Sequence, residues 1–238
     1  MNFIPRRASS INEEWRTLPT APNPDISRLI YSTGLQHSGK NRYPDVLPFE
    51  ATRVKLSNPD EYINANYIDH ISEKTRFIST QAPLPQTFNT FWQMVWENNV
   101  PVVVMLTKIM EKRKIKAHCY WPTVGETEVF GSISVRLHSE TEECFITIRH
   151  FEVIYGGESR SVFHLQYTEW PDFGVPRSTT TIRRLIELTD KYRSEYAKDI
   201  FSTIVVHCSA GVGRCGTFLA IHSVVEQIRA GTPLTSIS

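Results

Sequence analysis

The sequence predicts an α/β protein of the α+β kind, in which a central mixed and highly twisted β-sheet is flanked by helices. Two observations support this prediction. Three strand-like runs follow one another within residues 133–167 with no helix between them, which is typical of an antiparallel meander. Elsewhere strand-like runs alternate with helical periodicity, which indicates a parallel centre. The two patterns together predict one mixed sheet with helices on its faces.

Runs rich in β-branched and aromatic residues define the strands in chain order. They lie at residues 76–80, 102–106, 133–137, 144–153, 161–167 and 203–207. Residues 87–98 and 179–196 carry apolar side chains at near-helical spacing, and a third apolar stripe runs over residues 219–228. A short helix is expected around residues 11–16, before a proline-rich connector. No later change of composition marks a linker, so a single domain over residues 1–238 is expected.

The composition excludes several classes of protein. Lys plus Arg number 26 and Asp plus Glu 25 among 238 residues, so the net charge of +1 gives no reason to expect nucleic acid or an anionic membrane as partner. No apolar run reaches the roughly 18 residues of a membrane helix, and the first residues resemble no secretion signal. Four cysteines are too few for a disulfide scaffold, so reduced thiols in a cytoplasmic compartment are expected.

Residues 203–218 place a loop of small residues between a strand and a helix. A β-branched run ends at His207, a turn with two glycines follows, and a helical stripe then begins. We expect both glycines to adopt positive φ, so that successive backbone N–H groups converge at the positive end of the helix dipole. Such a nest binds an oxyanion, and a phosphate in particular. Its residues are Ser209, Ala210, Gly211, Val212 and Gly213.

Two side chains make this anion site a candidate reaction centre. Cys208 stands at the entrance of the loop, where free N–H groups and Arg214 would stabilise a thiolate at neutral pH. Arg214 could return across the loop and hold two phosphate oxygens with its planar guanidinium group. A cysteine after an apolar strand is usually just a small buried residue, but none of the other three cysteines has an arginine six positions later.

Three other patterns compete for this loop. Residues 211–216 (GVGRCG) formally fit the dinucleotide-binding fingerprint, but no acidic residue follows about 20 positions later, since Glu226 is the last acid. A Walker loop would need a closing Lys followed by Ser or Thr. A sulfur-transfer or arsenate-reducing Cys-x5-Arg protein would have no use for residues 170–172 or for Tyr43. These three alternatives are disfavoured.

Ordered motifs along the chain resemble those of one enzyme family. Residues 207–214 (HCSAGVGR), here called the signature loop, resemble that of the protein tyrosine phosphatases, and residues 170–176 (WPDFGVP) resemble their acid loop. Further matches are KNRY at 40–43, DEYINA at 60–65, TQAPLP at 80–85, FWQMVW at 91–96 and YWP at 120–122. The resemblance implies hydrolysis of phosphotyrosine in proteins through a phosphocysteine intermediate, with phosphotyrosine-containing proteins as partners and no metal or other cofactor.

The resemblance also implies a role for each matched residue. Cys208 is the expected nucleophile, Arg214 binds the phosphate, and Asp172 protonates the phenolate leaving group and later acts as base. Taken alone, residues 170–172 would also fit a simple turn. Residues expected to contact the substrate are Tyr43, Asp45, Val46 and Phe173, together with the five residues of the nest. Residues expected to support the site are Glu111 (orienting Arg214), Lys116 (approaching the acid loop), Trp170, His207 (holding the signature loop) and Cys215.

Three features leave alternatives open. Residues 110–116 form a charge run, which also fits a solvated loop. Cys215 stands where relatives place a hydroxyl residue, so a weaker donor faces Cys208, and the thiol could trap an oxidised Cys208 as a disulfide. The family carries a glutamine and helices downstream of the signature loop, whereas this sequence ends at Ser238. A domain shortened at its C-terminus is therefore expected, and a phosphotyrosine-binding or trapping module with little turnover stays as the alternative function.

Overall fold

An eight-stranded mixed β-sheet lies at the centre of the part of the chain that the structure describes. The computed structural model describes residues 30–68, 75–171, 174–176, 178–198 and 202–231, together with Glu13 and Arg16. Its strands are β1 (Ala65–Ile68), β2 (Arg76–Thr80), β3 (Val102–Met105), β4 (Met110–Glu111), β5 (Lys114–Ile115), β6 (Thr127–Phe130), β7 (Ile133–Glu143), β8 (Ile146–Tyr155), β9 (Glu158–Tyr167) and β10 (Thr203–His207). Its helices are α1 (Ser32–Gln36), α2 (Phe88–Glu97), α3 (Thr179–Tyr196) and α4 (Gly213–Arg229). Of the short helix expected around residues 11–16, only Glu13 and Arg16 are described, and both are helical.

The strands follow the order β1-β2-β10-β3-β9-β8-β7-β6 across the sheet, and β4 pairs with β5 in a separate hairpin. Strands β2, β10, β3 and β9 pair in parallel at the centre. The outer pairs, β1 with β2, β9 with β8, β8 with β7 and β7 with β6, are antiparallel. The predicted α/β fold with a mixed, twisted sheet, a parallel centre and an antiparallel meander is therefore confirmed.

Side chains of the central strands build a hydrophobic core on each face of the sheet. In β10, Val205 packs on one face and Ile204 and Val206 pack on the other, because successive residues of a strand point to opposite sides. Helix α2 covers the first face, with Trp92 fully buried, and helices α3 and α4 cover the second. Every residue of β10 is buried, so this strand is fixed between two packed layers. None of the described helices has both the length and the apolar character that a membrane span needs.

The hairpin of β7 and β8 differs from the sequence prediction. Strand β7 continues to Glu143 instead of ending at Leu137, because its polar second half is held by backbone pairing with β8 and has no apolar pattern to reveal it. Cys144 and Phe145 have φ angles of 52° and 63° and form the two-residue turn. The strand predicted to start at Cys144 therefore begins at Ile146.

Candidate active site

Strand β10 delivers the signature loop to the carboxyl edge of the parallel strands. It pairs with β2 on one side and β3 on the other, with His207 opposite Thr80 and Met105. Immediately beyond β3, the Leu106 N–H donates to the His207 carbonyl at 2.8 Å. Ligand sites of parallel sheets lie at this edge. The order and direction of the strands alone therefore put the loop where a ligand site is expected.

Carbonyl groups of the signature loop are bound by the surrounding scaffold. The Ser209 carbonyl accepts from the Ala82 N–H at 3.0 Å, and the Gly211 carbonyl accepts from Ser79 Oγ at 2.7 Å. The Cys208 carbonyl accepts from the His207 ring at 3.1 Å. A trans peptide directs its N–H away from its C=O, so fixing these carbonyls outward turns the next N–H groups inward. The loop thereby forms a cup of amide donors.

Gly211 is the one position in the loop where the backbone excludes any side chain. Its φ is +82°, and a Cβ atom there would lie 2.5 Å from the carbonyl oxygen of Thr80. Gly213 does not have the positive φ that the sequence predicted, and a Cβ there would meet nothing within 4 Å. The prediction was wrong at Gly213 because that residue is already the first residue of helix α4 and has an ordinary helical backbone.

The surroundings of Cys208 lower the pKa of its thiol to about 6. The largest cause is the hydrogen bond from the Cys215 thiol, and the N–H groups of Gly211, Cys215 and Ser209 add to it against the opposing effect of burial. Burial raises the pKa of Cys215 well above its usual value, so Cys215 stays protonated as a donor. Cys208 is therefore mainly a thiolate at pH 7, with 5% of its surface exposed.

A carboxylate holds the arginine of the signature loop. Arg214 Nη1 and Nη2 donate to the two oxygens of Glu111 at 2.7 Å and 2.8 Å, and Nη1 also donates to the Leu106 carbonyl at 2.9 Å. Burial is the largest influence on Glu111 and opposes ionisation, but hydrogen bonds from Arg214 and Thr107 outweigh it and lower the pKa of this carboxyl group. The bidentate pair fixes the plane of the guanidinium group beside the cup.

Glu111 lies in the charge run at residues 110–116, for which a solvated loop was the alternative interpretation. The run instead forms the β4–β5 hairpin, whose turn residues Lys112 and Arg113 have φ angles of 47° and 63°. Lys112, Arg113 and Lys114 are exposed and Lys116 is half-buried, whereas the Glu111 side chain is only 9% exposed. The turn therefore returns one carboxylate to the signature loop and leaves the three exposed charged residues at the surface.

A chain of hydroxyl groups connects Tyr43 to the signature loop. Ser209 Oγ donates to the Lys116 carbonyl at 2.7 Å, so its oxygen accepts from the Tyr43 hydroxyl at 2.8 Å. Val46 is half-buried and shares a groove of about 530 Å³ with residues 210–212, whereas Asp45 is exposed. Tyr43 and the Lys116 carbonyl thus contact the signature loop through Ser209, Val46 lines a groove beside the loop, and Asp45 is exposed.

The flanks of the acid loop lie opposite the β4–β5 hairpin. Trp170 is buried, and its Nε1 donates to the Gly174 carbonyl at 3.1 Å. Lys108 forms an exposed ion pair with Glu169 at 3.0 Å, and a cleft of about 520 Å³ separates the hairpin from Trp170. The predicted residues Asp172 and Phe173 lie outside the described residues.

His207 belongs to a buried network that the sequence motifs did not predict. Tyr120 lies 2.7 Å from His207 Nε2 and 2.9 Å from His164 Nε2, and all three side chains are buried. Burial lowers the pKa of His207 to about 4 and that of His164 well below its usual value, so both rings are neutral. The YWP motif was recognised, but nothing in one sequence shows that its tyrosine joins two histidines.

One cluster of metal-ligating side chains exists among the described residues, between helices α3 and α4. Asp190, His222 and Glu226 bring one ligand atom each within 4.8 Å of one another. Asp190 already accepts from His222 at 2.8 Å and pairs with Arg229 at 2.5 Å, and Glu226 accepts from Thr75. The cluster is therefore an ion-paired contact between two helices, and the Arg229 charge in it disfavours a cation.

A low-pKa thiol under converging amides, beside an arginine held by a carboxylate, defines an anion site with a built-in thiolate. Comparison with known proteins agrees with this class. The sequence profile of the family described as protein-tyrosine phosphatase matches residues 37–238. The chain belongs to this family.

Three relatives illustrate the match. Receptor-type tyrosine-protein phosphatase eta of Gallus gallus is 45% identical over 81% of this chain and 14% of its own length. Tyrosine-protein phosphatase 3 of Dictyostelium discoideum is 42% identical over 80% of the chain and 20% of its own length. Tyrosine-protein phosphatase non-receptor type 20 of Mus musculus is 40% identical over 82% and 45%. The chain spans less than half of each relative, and because both receptor-type and non-receptor proteins match, the cytoplasmic compartment stays a prediction.

Proposed function

We propose that this chain hydrolyses phosphotyrosine in proteins through a phosphocysteine intermediate. The observation that supports this proposal most strongly is the state of Cys208, a buried thiol with a pKa of about 6 under the amide cup of the signature loop. Family membership supports the same reaction class. The domain would be a single one, because eight of the ten described strands belong to one sheet, and the cores on its two faces both include residues of strand β10.

In the first step, the cup binds the phosphate of the substrate with backbone N–H groups and with Arg214. The Cys208 thiolate attacks phosphorus, the bond from phosphorus to the phenolic oxygen breaks, and Asp172 gives its proton to the departing oxygen. This proton is needed because a phenol has a pKa near 10, so an unprotonated phenolate leaves slowly at pH 7. Charge on the transferring phosphoryl group is stabilised by donors that the scaffold has already oriented.

In the second step, water attacks phosphorus and the bond from phosphorus to sulfur breaks. Asp172, now a carboxylate, takes a proton from the water, and Cys208 leaves as a thiolate. The donors that lower the pKa of Cys208 also stabilise this leaving group, chiefly the Cys215 thiol and the N–H of Gly211. The same environment therefore assists both attack and departure of the sulfur.

Selectivity for phosphotyrosine follows from the depth of the cup. The sulfur is almost fully buried, so the short side chain of a phosphoserine would not bring its phosphate to Cys208, whereas a phenyl ring spans the distance. Tyr43, tied through Ser209 to the loop, forms a wall on which such a ring can pack. The alternative of a binding module with little turnover finds no support in the comparisons, whose relatives are named as phosphatases.

The test is rapid quenching of the purified chain with a phosphotyrosine peptide, followed by mass spectrometry of the protein. We expect a phosphoryl group on Cys208 within the first turnover, and a Cys208→Ser variant that binds the peptide without hydrolysing it. Cys119→Ser, at an exposed cysteine away from the loop, is the matched control and should keep full activity. Hydrolysis by the Cys208→Ser variant, or no hydrolysis by the unaltered chain, would refute the proposal.

A further inference from the structure

We propose that Arg149 is a positioning residue for the nucleophile, acting through a buried chain of hydrogen bonds that has only one possible direction. The chain joins strand β8 to the signature loop across the interior of the sheet. It runs from Arg149 Nη1 to His164 Nδ1 (3.3 Å), from His164 Nε2 to the Tyr120 oxygen (2.9 Å), from that oxygen to His207 Nε2 (2.7 Å), and from His207 Nδ1 to the Cys208 carbonyl (3.1 Å). The proposal rests on the function proposed above only in taking Cys208 as the nucleophile.

The outer end of the chain fixes one tautomer. A guanidinium group has donors only, so His164 Nδ1 must accept from Arg149. Burial, the charge of Arg149 and the neighbouring His207 keep His164 neutral, which places its single proton on Nε2. That proton points at the Tyr120 oxygen, so the tyrosine accepts from His164 and its own proton is left for the opposite side.

The inner end of the chain independently requires the same direction. The Cys208 carbonyl can only accept, so His207 carries its proton on Nδ1. Burial keeps His207 neutral, and therefore its Nε2 must accept from the Tyr120 hydroxyl. The Tyr120 hydroxyl has one proton, and the hydrogen bonds at both ends of the chain require it to be donated to His207 Nε2. A donor at the Arg149 position and an acceptor at the Cys208 carbonyl are thus coupled through a single hydroxyl group.

The consequence reaches the sulfur through one peptide unit. The Cys208 carbonyl and the Ser209 N–H belong to the same planar trans peptide and point in opposite directions. The carbonyl is held by His207, and the Ser209 N–H is one of the donors that stabilise the Cys208 thiolate. A proton on His207 Nδ1 therefore keeps an N–H aimed at the sulfur, whereas a lone pair there would repel the carbonyl and release the peptide.

Arg149 is itself held in place from three directions. Its Nε donates to Glu140 at 2.5 Å, its Nη1 donates to Gln166 Oε1 at 2.8 Å, and its guanidinium lies 4.5 Å from the centre of the Trp121 ring. Gln166 in turn donates to the carbonyl of Thr107, next to the segment that carries Glu111. The side chain of Arg149 is only 9% exposed, so few other orientations are open to it.

The first experiment measures histidine tautomers by long-range ¹H–¹⁵N spectra of the full chain labelled at histidine. In the unaltered protein we expect His164 protonated at Nε2 and His207 protonated at Nδ1. In Arg149→Met, which keeps the aliphatic stem but removes every donor, we expect both rings to lose this single pattern. Tyr120→Phe should release His207 while leaving His164 fixed by Arg149, because the guanidinium donor remains.

The second readout is the pH dependence of Cys208 alkylation by iodoacetate, which needs no turnover. In Arg149→Met we expect the midpoint to rise by about half to one pH unit, a roughly three- to tenfold loss of thiolate below the midpoint. Arg149→Lys, which keeps a charged donor, should recover part of the shift. The matched control is Arg160→Met on strand β9, where the guanidinium stacks 3.6 Å from the Trp96 ring centre and donates to the carbonyl of that residue. This control should change neither tautomer nor midpoint.

Several results would overturn the proposal. His164 protonated at Nδ1 or His207 protonated at Nε2 in the unaltered protein contradicts the chain directly, even if Arg149→Met does not fold. An Arg149→Met protein that melts cooperatively and keeps both tautomers and the midpoint excludes a positioning role, as does an equal shift in Arg160→Met. Neither readout uses hydrolysis. A protein without phosphatase activity would therefore refute the proposed function, while the tautomers and the alkylation midpoint would still test the role of Arg149.

Discussion

The signature loop and the acid loop would carry the two halves of the chemistry, and the chain holds them in opposite ways. The signature loop hangs on the central strands, with the carbonyls of His207, Ser209 and Gly211 bound to residues of other segments. The acid loop is tied across its own ends by Trp170 and Gly174, and Val175 is 76% exposed. Cys208 is thus placed by the fold, whereas the described flanks of the acid loop are held by a contact within the loop itself. Changes in the first should affect stability and activity together, and changes in the second activity alone.

The largest difference between the two loops is expected from Asp172→Ala, which should lower activity without lowering stability. Loss of a general acid should lower kcat with a phosphotyrosine peptide by about 10² to 10⁴, and by less with para-nitrophenyl phosphate, whose phenol is more acidic. The melting temperature should stay unchanged. Glu169→Ala, which removes an exposed ion pair beside the same loop, is the control and should change little. Equal losses on both substrates would return Asp172 to a structural role.

Gly211→Ala should show the opposite behaviour, since it acts on the loop that the sheet holds. The new Cβ would lie 2.5 Å from the Thr80 carbonyl at a φ of +82°. Forcing a side chain into that backbone costs about 1 to 3 kcal/mol, so both the melting temperature and turnover should fall. Gly216→Ala in helix α4 meets nothing within 4 Å and should melt at or slightly above the original temperature. A Gly211→Ala protein that melts at the original temperature would contradict the claim that the sheet holds the signature loop.

Oxidation should also distinguish the two regions, because a second thiol, Cys215, directly follows the signature loop and donates to Cys208. Peroxide would convert the Cys208 thiolate and a proton to sulfenic acid and water, and attack by Cys215 would then form the disulfide and release a second water. Mass spectrometry after mild peroxide treatment should find a linkage between Cys208 and Cys215 that a thiol reductant reverses. In Cys215→Ser, Cys208 should overoxidise instead. A free Cys215 beside an overoxidised Cys208 in the unaltered chain would rule out this protection.

A smaller effect is expected from Cys215→Ser without oxidant. A hydroxyl is a stronger donor than a thiol, so the pKa of Cys208 should fall further and its departure from phosphocysteine should speed up, by a few-fold at about 1 kcal/mol of added stabilisation. Single-turnover kinetics of the dephosphorylation step measure this effect. A slower step in Cys215→Ser would show that the serine hydroxyl does not reach the sulfur.

The sequence predicted those elements whose bounds are marked by a pattern of apolar side chains. It did not predict segments that are held by backbone hydrogen bonds alone. Strands β2 and β10 and helix α3 match their predicted bounds, because their apolar patterns end where the elements end. The second half of β7 was missed, because polar residues 138–143 are held by backbone pairing. In the site, the Cys208 loop was visible as a short motif. Tyr120 lies in a loop and His164 in β9, both far from His207 along the chain, so only the tertiary packing brings their side chains together.

The claim that the fold holds Cys208 as a thiolate is tested most directly by the rate of Cys208 alkylation by iodoacetate, measured as a function of pH in the unaltered protein. Thiolates react and thiols do not, so the rate should rise with pH through a midpoint of about 6 and level off by neutral pH. Cys119 provides an internal control: the residue is exposed at the surface, but partial desolvation of its sulfur raises the pKa of this thiol, so it should react only at a higher pH than Cys208. A Cys208 midpoint at about 8.5, the value of an ordinary thiol, would contradict the claim that the scaffold of the sheet holds this cysteine as a thiolate.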